Sequence, residues 1–176
     1  MNILVLGSGG REHAIAWALS KSPRCDELFV APGNGGTAAV ATNVNDVDMM
    51  SGSSVLSFVR EHGVDLVVIG PEAPLVAGVA DELRDAGISV FGPDAAGALL
   101  EGSKAHSKAF MEKSDIPTAA YATFDACDPA IAYIREQGAP IVVKADGLAA
   151  GKGVVVASTV EEAEDAVREC FDGKFG

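Results

Sequence analysis

Two kinds of hydrophobic spacing alternate along the first hundred residues. Short, largely apolar runs at 2–6, 28–31, 65–69 and 88–91 read as strands buried on both faces. Between them, Ala14, Ile15, Ala18 and Leu19, then Val55, Leu56 and Val59, then Val76, Val79, Ala80 and Leu83 recur at helical spacing. The second helix should end near Gly63, and Gly87 should close the third. Residues 43–50 carry little pattern and read as loop with at most a short strand. This alternation predicts an open parallel sheet with helices on both faces. Past residue 103 the rhythm changes. Ser103 is a candidate N-cap for a helix through Ala105, Ala109 and Phe110 to Lys113, ended by Ile116-Pro117. Residues 118–124 read as a strand, and 129–136 as a helix with Ile131, Ala132 and Ile134 inward. Residues 141–143 and 154–156 read as two further strands. Ala163, Ala166, Val167, Cys170 and Phe171 then mark an amphipathic helix whose acidic first turns, 161–165, suit the helix dipole. This second part is a small α+β unit.

Composition narrows the class. A chain of 176 residues with 48% hydrophobic and 6% aromatic content can bury a core rich in Ala and Val. A net charge of −12 argues against a nucleic acid held by a general basic field, but leaves room for small anions held by placed lysines. Cys25, Cys127 and Cys170 are far apart and odd in number, which fits buried thiols in a reduced cytoplasm. His13, His62 and His106 share no ligand spacing, so no metal site is expected in this chain. The start, MNILVLGSGG, lacks the form of a signal peptide, and no apolar run is long enough to span a membrane. The chain stops just past a helix, at FDGKFG, which suggests part of a longer protein.

Candidate chemistry lies in the loops. Each strand of the first part runs into glycine or proline, and ligands collect outside the carboxyl ends of such strands. Residues 7–13, 32–36 and 70–74 are the richest of these loops and should line one crevice. Gly7-Ser8-Gly9-Gly10 between a strand and a helix places an anion on the helix N-terminus, with Arg11 and His13 beside it. It is not a dinucleotide fingerprint: the third glycine would fall at Glu12, and Pro32-Gly33-Asn34 stands where an acidic ribose ligand is expected. A tight turn whose glycines serve only packing is the alternative. Glu72 in Gly70-Pro71-Glu72 could accept from a ribose diol or an amine, or could be a solvated loop residue. In the second part, Lys144 ends a strand, Gly147, Gly151 and Gly153 follow with Lys152 among them, and a strand returns. Such a hairpin suits a polyphosphate, although it fails the G-x-x-x-x-G-K-[ST] spacing. A surface hairpin with two solvated lysines fits the same pattern. Lys104 and Lys108 lie on one face at a helix start, where a cation is disfavoured unless an anion binds, and a solvated lysine is the alternative.

Taken in order, GSGGREH at 7–13, APGN at 31–34, GPEAPL at 70–75 and KADGLAAGKGV at 144–154 closely resemble the phosphoribosylamine–glycine ligase family of ATP-grasp enzymes, over the whole chain. The resemblance implies a Rossmann-like pre-ATP-grasp domain at 1–103 and the first part of an ATP-grasp domain at 104–176. It implies ATP-dependent ligation of glycine to phosphoribosylamine through glycyl phosphate, a cytoplasmic step of purine biosynthesis without nucleic-acid or membrane partners. By position, ATP would meet Lys104, Lys144, Gly147, Gly151, Lys152 and Gly153. Phosphoribosylamine would meet Gly9, Gly10, Arg11, Glu12, His13, Pro32, Gly33, Asn34, Gly70, Pro71 and Glu72. The family's Mg²⁺ ligands, second ATP-grasp lobe and C-terminal domain come later than these residues, so the chain by itself should be inactive. Another ATP-grasp ligase or carboxylase of nucleotide metabolism, or a non-catalytic phosphoribosyl-binding module, are the competing readings.

Overall fold

The computed structural model describes residues 1–148 and 153–174. They fall into two compact units, Met1–Leu99 and Leu100–Gly176.

The first unit is built on five parallel strands: β1 (Asn2–Gly7), β2 (Glu27–Pro32), β3 (Thr42–Asn43), β4 (Leu66–Ile69) and β5 (Ser89–Phe91). Their order across the sheet is β3-β2-β1-β4-β5. The chain winds from β1 to β2 on one side and returns to place β4 on the other, so the switch in direction falls between β1 and β4. Strand periodicity sorts the apolar runs onto two faces. Leu4, Leu6, Phe29, Ala31, Val67 and Ile69 pack in one cluster with Val55, Phe58 and Val59 of α2 (Gly52–Glu61) and Val79, Ala80 and Leu83 of α4 (Val79–Asp85). Ile3, Val5, Leu28, Val30 and Val68 pack on the opposite face with Ala16 of α1 (Gly10–Leu19). Both faces are covered, which is why the runs are continuous rather than alternating.

Three local expectations are revised. The short strand lies at Thr42–Asn43, overlapping the patternless stretch only at Asn43, and is followed by loop. The helix expected through Val76 and Leu83 is two helices, α3 (Glu72–Val76) and α4, because Gly78 adopts φ +85 between them. The apolar spacing continues across the break, so the break is invisible to periodicity. A further helix, α5 (Ala95–Gly102), follows Pro93. Its sequence AAGALLEG has almost no polar face, so no amphipathic signal marks it, although Asp94 Oδ1 accepts from Gly97 N at 2.7 Å as an N-cap should.

The second unit contains α6 (Lys104–Lys113), α7 (Cys127–Gln137), the antiparallel pair β6 (Ile141–Lys144) and β7 (Val154–Ala157), and α8 (Val160–Phe171). Ser103 caps α6, its hydroxyl accepting from His106 N at 3.1 Å, and Thr159 with Glu162 forms a capping box on α8. Ala130, Ile131 and Ile134 of α7, Ala163 and Val167 of α8, and Ala157 form the core, with Ile141 and Val143 packed against it. Ala130 rather than Ala132 completes the inward stripe of α7; Ala132 is exposed. The opposite face of the ribbon is open, with Val142 47% and Val156 72% exposed. Residues 118–124 form no strand. They run beside α6, where Lys108 Nζ donates to Thr118 Oγ1 and the Ala119 carbonyl at 2.6 and 2.9 Å, and the Tyr121 hydroxyl donates to Glu112. Side-chain bonds to a helix replace ladder bonds to a sheet, a choice that strand propensity does not encode.

Candidate functional site

In the first unit the sheet register does the first part of the work. Gly7 stands opposite Pro32, and Leu6 opposite Ile69. The loops after β1, β2 and β4 therefore leave the sheet at one level. Gly33 N donates to the Gly7 carbonyl and Gly70 N to the Leu6 carbonyl, each at 3.1 Å. Residues from positions 7–13, 32–36 and 70–72 are thus brought together.

Glu12 explains the departure from the dinucleotide pattern. It is the third residue of α1, only 3% exposed, and its carboxylate turns back into the loop. Gly9 N donates to Oε2 at 2.7 Å and Arg11 Nε donates to Oε1 at 2.7 Å. A Cβ at Gly7, Gly9 or Gly70 would meet this side chain at 2.6, 2.8 or 2.2 Å. These three glycines leave room for a buried carboxylate. In a dinucleotide site the corresponding space serves close backbone approach to a pyrophosphate. Here Gly9 N–H is already spent on Glu12.

Asn34 performs the corresponding task between the other two loops. Its Nδ2 donates to the Ser8 carbonyl at 2.8 Å, while its Oδ1 accepts from Gly36 N at 2.7 Å and Thr37 N at 3.0 Å. Thr37, fully buried, accepts from Asn34 N at 2.7 Å and is bonded to Asn43 Oδ1 at 2.7 Å. Gly33, at φ +75, makes room for this pair, since a Cβ there would meet Asn43 Oδ1 at 2.3 Å. The His13 ring packs on Gly36, where a Cβ would sit 2.6 Å from it. Thr37 and Asn43 were not singled out from sequence; their signal is the clustering of Asn and Thr around a glycine turn, which favours side-chain-to-backbone bonds.

What remains outward-facing is charge. Arg11 donates through Nη1 to Glu72 Oε1 at 2.9 Å as well as to Glu12. The bonds to Glu72, then Glu12, raise the guanidinium's pKa, and Arg11 in turn lowers that of Glu72 below the usual carboxylate range. The ion pair spans the β1–β4 switch point, joining the first turn of α1 to the first turn of α3, whose N-cap is Pro71. Two of Arg11's five N–H groups are used, which leaves three for an anion. α1 has no side-chain cap, since Gly9 has no side chain to offer, so its first-turn N–H groups, beginning at Gly10, point to the same place.

In the second unit the strand ending at Lys144 continues into Ala145, whose N–H donates to the Gly153 carbonyl at 2.8 Å, closing the ladder one step past β6–β7. Gly147 adopts φ +86, and among the described residues no atom lies within 4 Å of where its Cβ would sit, so glycine is required there for backbone conformation. Gly151 and Lys152 lie outside the described residues. Lys104, in the first turn of α6, donates to the Gly147 carbonyl at 2.8 Å. The anion at that helix N-terminus is supplied by the chain: Asp146 Oδ1 accepts from Ala105 N at 3.1 Å and Oδ2 from the Ser103 hydroxyl at 3.0 Å. Burial alone would raise the Asp146 pKa. The Ala105 N–H and Ser103 hydroxyl, with the N–H groups of Gly147 and Lys104, outweigh it and hold the pKa down. A cation in the first turn of α6 is therefore compensated internally, without a bound phosphate. Lys108, expected on the same face, is committed to residues 118 and 119. Asp146 was not singled out from sequence, because nothing local says that it reaches a helix 41 residues earlier.

Comparison with known proteins adds to this geometry. The family model for phosphoribosylglycinamide synthetase, N domain, matches residues 1–101, and that for the ATP-grasp (A) domain of the same synthetase matches residues 102–176. The chain is 57% identical over 176 residues to a phosphoribosylamine–glycine ligase of Agrobacterium fabrum, covering 100% of this chain and 41% of that protein. It is 54% identical over 179 residues to one of Vibrio parahaemolyticus, covering 42% of it. The chain thus spans about two-fifths of the length of these relatives. Among solved structures, phosphoribosylamine–glycine ligase of Thermotoga maritima matches with a TM-score of 0.74 at 35% identity, covering 94% of this chain and 38% of that one. The biotin carboxylase domain of Hydrogenobacter thermophilus 2-oxoglutarate carboxylase, solved with MgADP, matches at 0.75 but only 17% identity, covering 97% of this chain and 40% of that one. The second likeness shows shared fold alone.

Proposed function

The chain belongs to the phosphoribosylglycinamide synthetase family, and from that premise we propose that it is part of an enzyme joining glycine to 5-phosphoribosylamine at the expense of ATP. The observation that carries this reading is the meeting of three motif loops at the carboxyl ends of β1, β2 and β4, with Arg11 spanning the β1–β4 switch point, in a chain 57% identical over its full length to such a ligase. In the proposed reaction a glycine carboxylate oxygen attacks the γ-phosphorus of ATP and ADP leaves. The amine nitrogen of phosphoribosylamine then attacks the carbonyl carbon of glycyl phosphate. Phosphate leaves, the nitrogen loses a proton, and an amide bond remains.

This chain's residues position reactants and screen charge. In the first unit, Arg11 and the first-turn N–H groups of α1 take the 5-phosphate, with His13 beside them and Glu72 toward the ribose or amine. Glu12 and Asn34 act one step back: their polar atoms are engaged by the loops that they hold. In the second unit, Lys104, Lys144 and residues 147–153, with Gly151 and Lys152 among them, meet the nucleotide phosphates. Lys104 spends one of three donors on Gly147, leaving two for a phosphate oxygen. Among the described residues no group of three His, Cys, Asp or Glu could hold a metal ion, and the reading assigns the Mg²⁺ ligands outside this chain. Among those residues no helix is long and apolar enough to cross a membrane, and the substrates are small solutes of a cytoplasmic pathway.

The test uses the full-length protein. Product formation should require ATP, glycine and phosphoribosylamine together. Arg11→Ala should raise KM for phosphoribosylamine about tenfold or more, about 1.4 kcal/mol, and leave KM for ATP within about twofold. Wild-type protein that forms no product from these three substrates overturns the reading.

A further inference from the structure

The end of β6 is held by a grip that no ligand role accounts for. Asp146 and Gly147 meet the first turn of α6 in two complementary ways. The Asp146 carboxylate takes the turn's donors, Ala105 N and the Ser103 hydroxyl, and Lys104 Nζ gives a hydrogen bond back to the Gly147 carbonyl. Positive charge at the helix start meets a carboxylate, and the lysine that would otherwise repel the helix dipole is turned onto a carbonyl. The ribbon itself offers little rigidity there. It has two strands and one face open at Val142 and Val156, and its described ladder runs to Ala145–Gly153. A two-stranded ribbon is weakly determined by its own hydrogen bonds, so side-chain anchors decide where its end lies.

We propose that Asp146 is a positioning residue for the nucleotide site. Seated on the first turn of α6, it locks the α6 lysine, Lys104, and the strand-end lysine, Lys144, into one frame before a nucleotide arrives. The proposal rests on the reading of those two lysines as ATP contacts. Asp146 itself touches no phosphate: two carboxylate oxygens facing a helix start would repel one. Its contribution is preorganisation. Without it, two cations on separate elements must be ordered by the nucleotide at a cost in binding free energy. Ser103 shares the task, since its hydroxyl both caps α6 and donates to Asp146.

The experiment is steady-state kinetics on the full-length enzyme with each substrate varied in turn. Asp146→Ala should raise KM for ATP about tenfold, with KM for glycine and for phosphoribosylamine within about twofold and kcat within about threefold. Asp146→Asn keeps an acceptor for Ala105 N–H and should recover most of that loss. Ser103→Ala should raise KM for ATP about threefold, and serves alone if Asp146→Ala yields no folded protein. An unchanged KM for ATP in these variants, a parallel rise in all three KM values, or an Asn variant no better than Ala overturns the proposal. Inactive wild-type enzyme would instead overturn the ligase reading on which it rests.

Discussion

Under the proposed function the two units face the same problem, holding charged groups ready for a phosphate, and meet it with opposite resources. In Met1–Leu99 the loops issue from a five-stranded parallel sheet covered on both faces. Their level is set by strand register, and interior side chains, Glu12 and Thr37, complete them from below. In Leu100–Gly176 the loop issues from a two-stranded ribbon with one open face, and its foot is fixed by half-buried polar groups on a helix start. The lesson is physical. A loop on a deep sheet can be fixed by packing, so its glycines record steric contacts. A loop on a ribbon must be fixed by hydrogen bonds, so its first glycine, Gly147, records only backbone conformation.

Substitutions can break this contrast or sharpen it. The largest effect is expected at the ribbon. Lys144→Ala in the full-length enzyme should lower kcat/KM for ATP about 100-fold, about 2.7 kcal/mol of lost phosphate stabilisation, and leave KM for phosphoribosylamine within about twofold. Equal losses for both substrates would erase the functional distinction between the units. Next is Glu12→Ala. It strips the buried acceptor from Gly9 N–H and one partner from Arg11, and should cost about 2 kcal/mol, lowering the thermal midpoint by roughly 4–8 °C. An unchanged midpoint would mean that the first unit's loops do not depend on interior support.

Gly70→Ala should cost about 1–2 kcal/mol by driving a Cβ into Glu12. Combined with Glu12→Ala the cost should largely vanish, and a double-mutant cycle on thermal midpoints measures that coupling. Gly147→Ala supplies the contrast: its Cβ meets no described atom, so its cost of about 1–2 kcal/mol should come from the left-handed backbone and should not change when Glu12→Ala is added. The smallest effect concerns pH. Arg11 lowers the Glu72 pKa, so the pair's contribution is present above the unfolded carboxylate pKa and is lost as pH falls through the folded value. Both side chains are more than a third exposed, at 52% and 43%, so solvent screening leaves a few tenths of a kcal/mol. Acid titration of the thermal midpoint should show a slightly shallower fall below about pH 4 in Glu72→Gln than in wild type.

Much of this was readable along the chain. Continuous apolar runs announced a sheet buried on both faces, glycine or proline after each strand announced where the loops would gather, and the cap at Ser103 announced a helix start. What misled was local likeness without context. Residues 118–124 have strand character but lie along α6, held by Lys108 and Tyr121. Residues 76–83 keep helical spacing through Gly78, whose left-handed φ breaks the helix without disturbing its apolar stripe.

Sequence alone determined most of the elements, the covered sheet and the motif loops, because burial periodicity and turn chemistry are properties of neighbouring residues. The tertiary structure decided which motif residues keep polar atoms free and which spend them holding the loops in place. Glu12 and Asn34 belong to motifs, yet their polar atoms are spent inside the protein; Asp146 finds its donors on a helix start 41 residues away. A side chain's free hydrogen-bonding capacity depends on what the fold brings against it from far along the chain, and no local pattern carries that information.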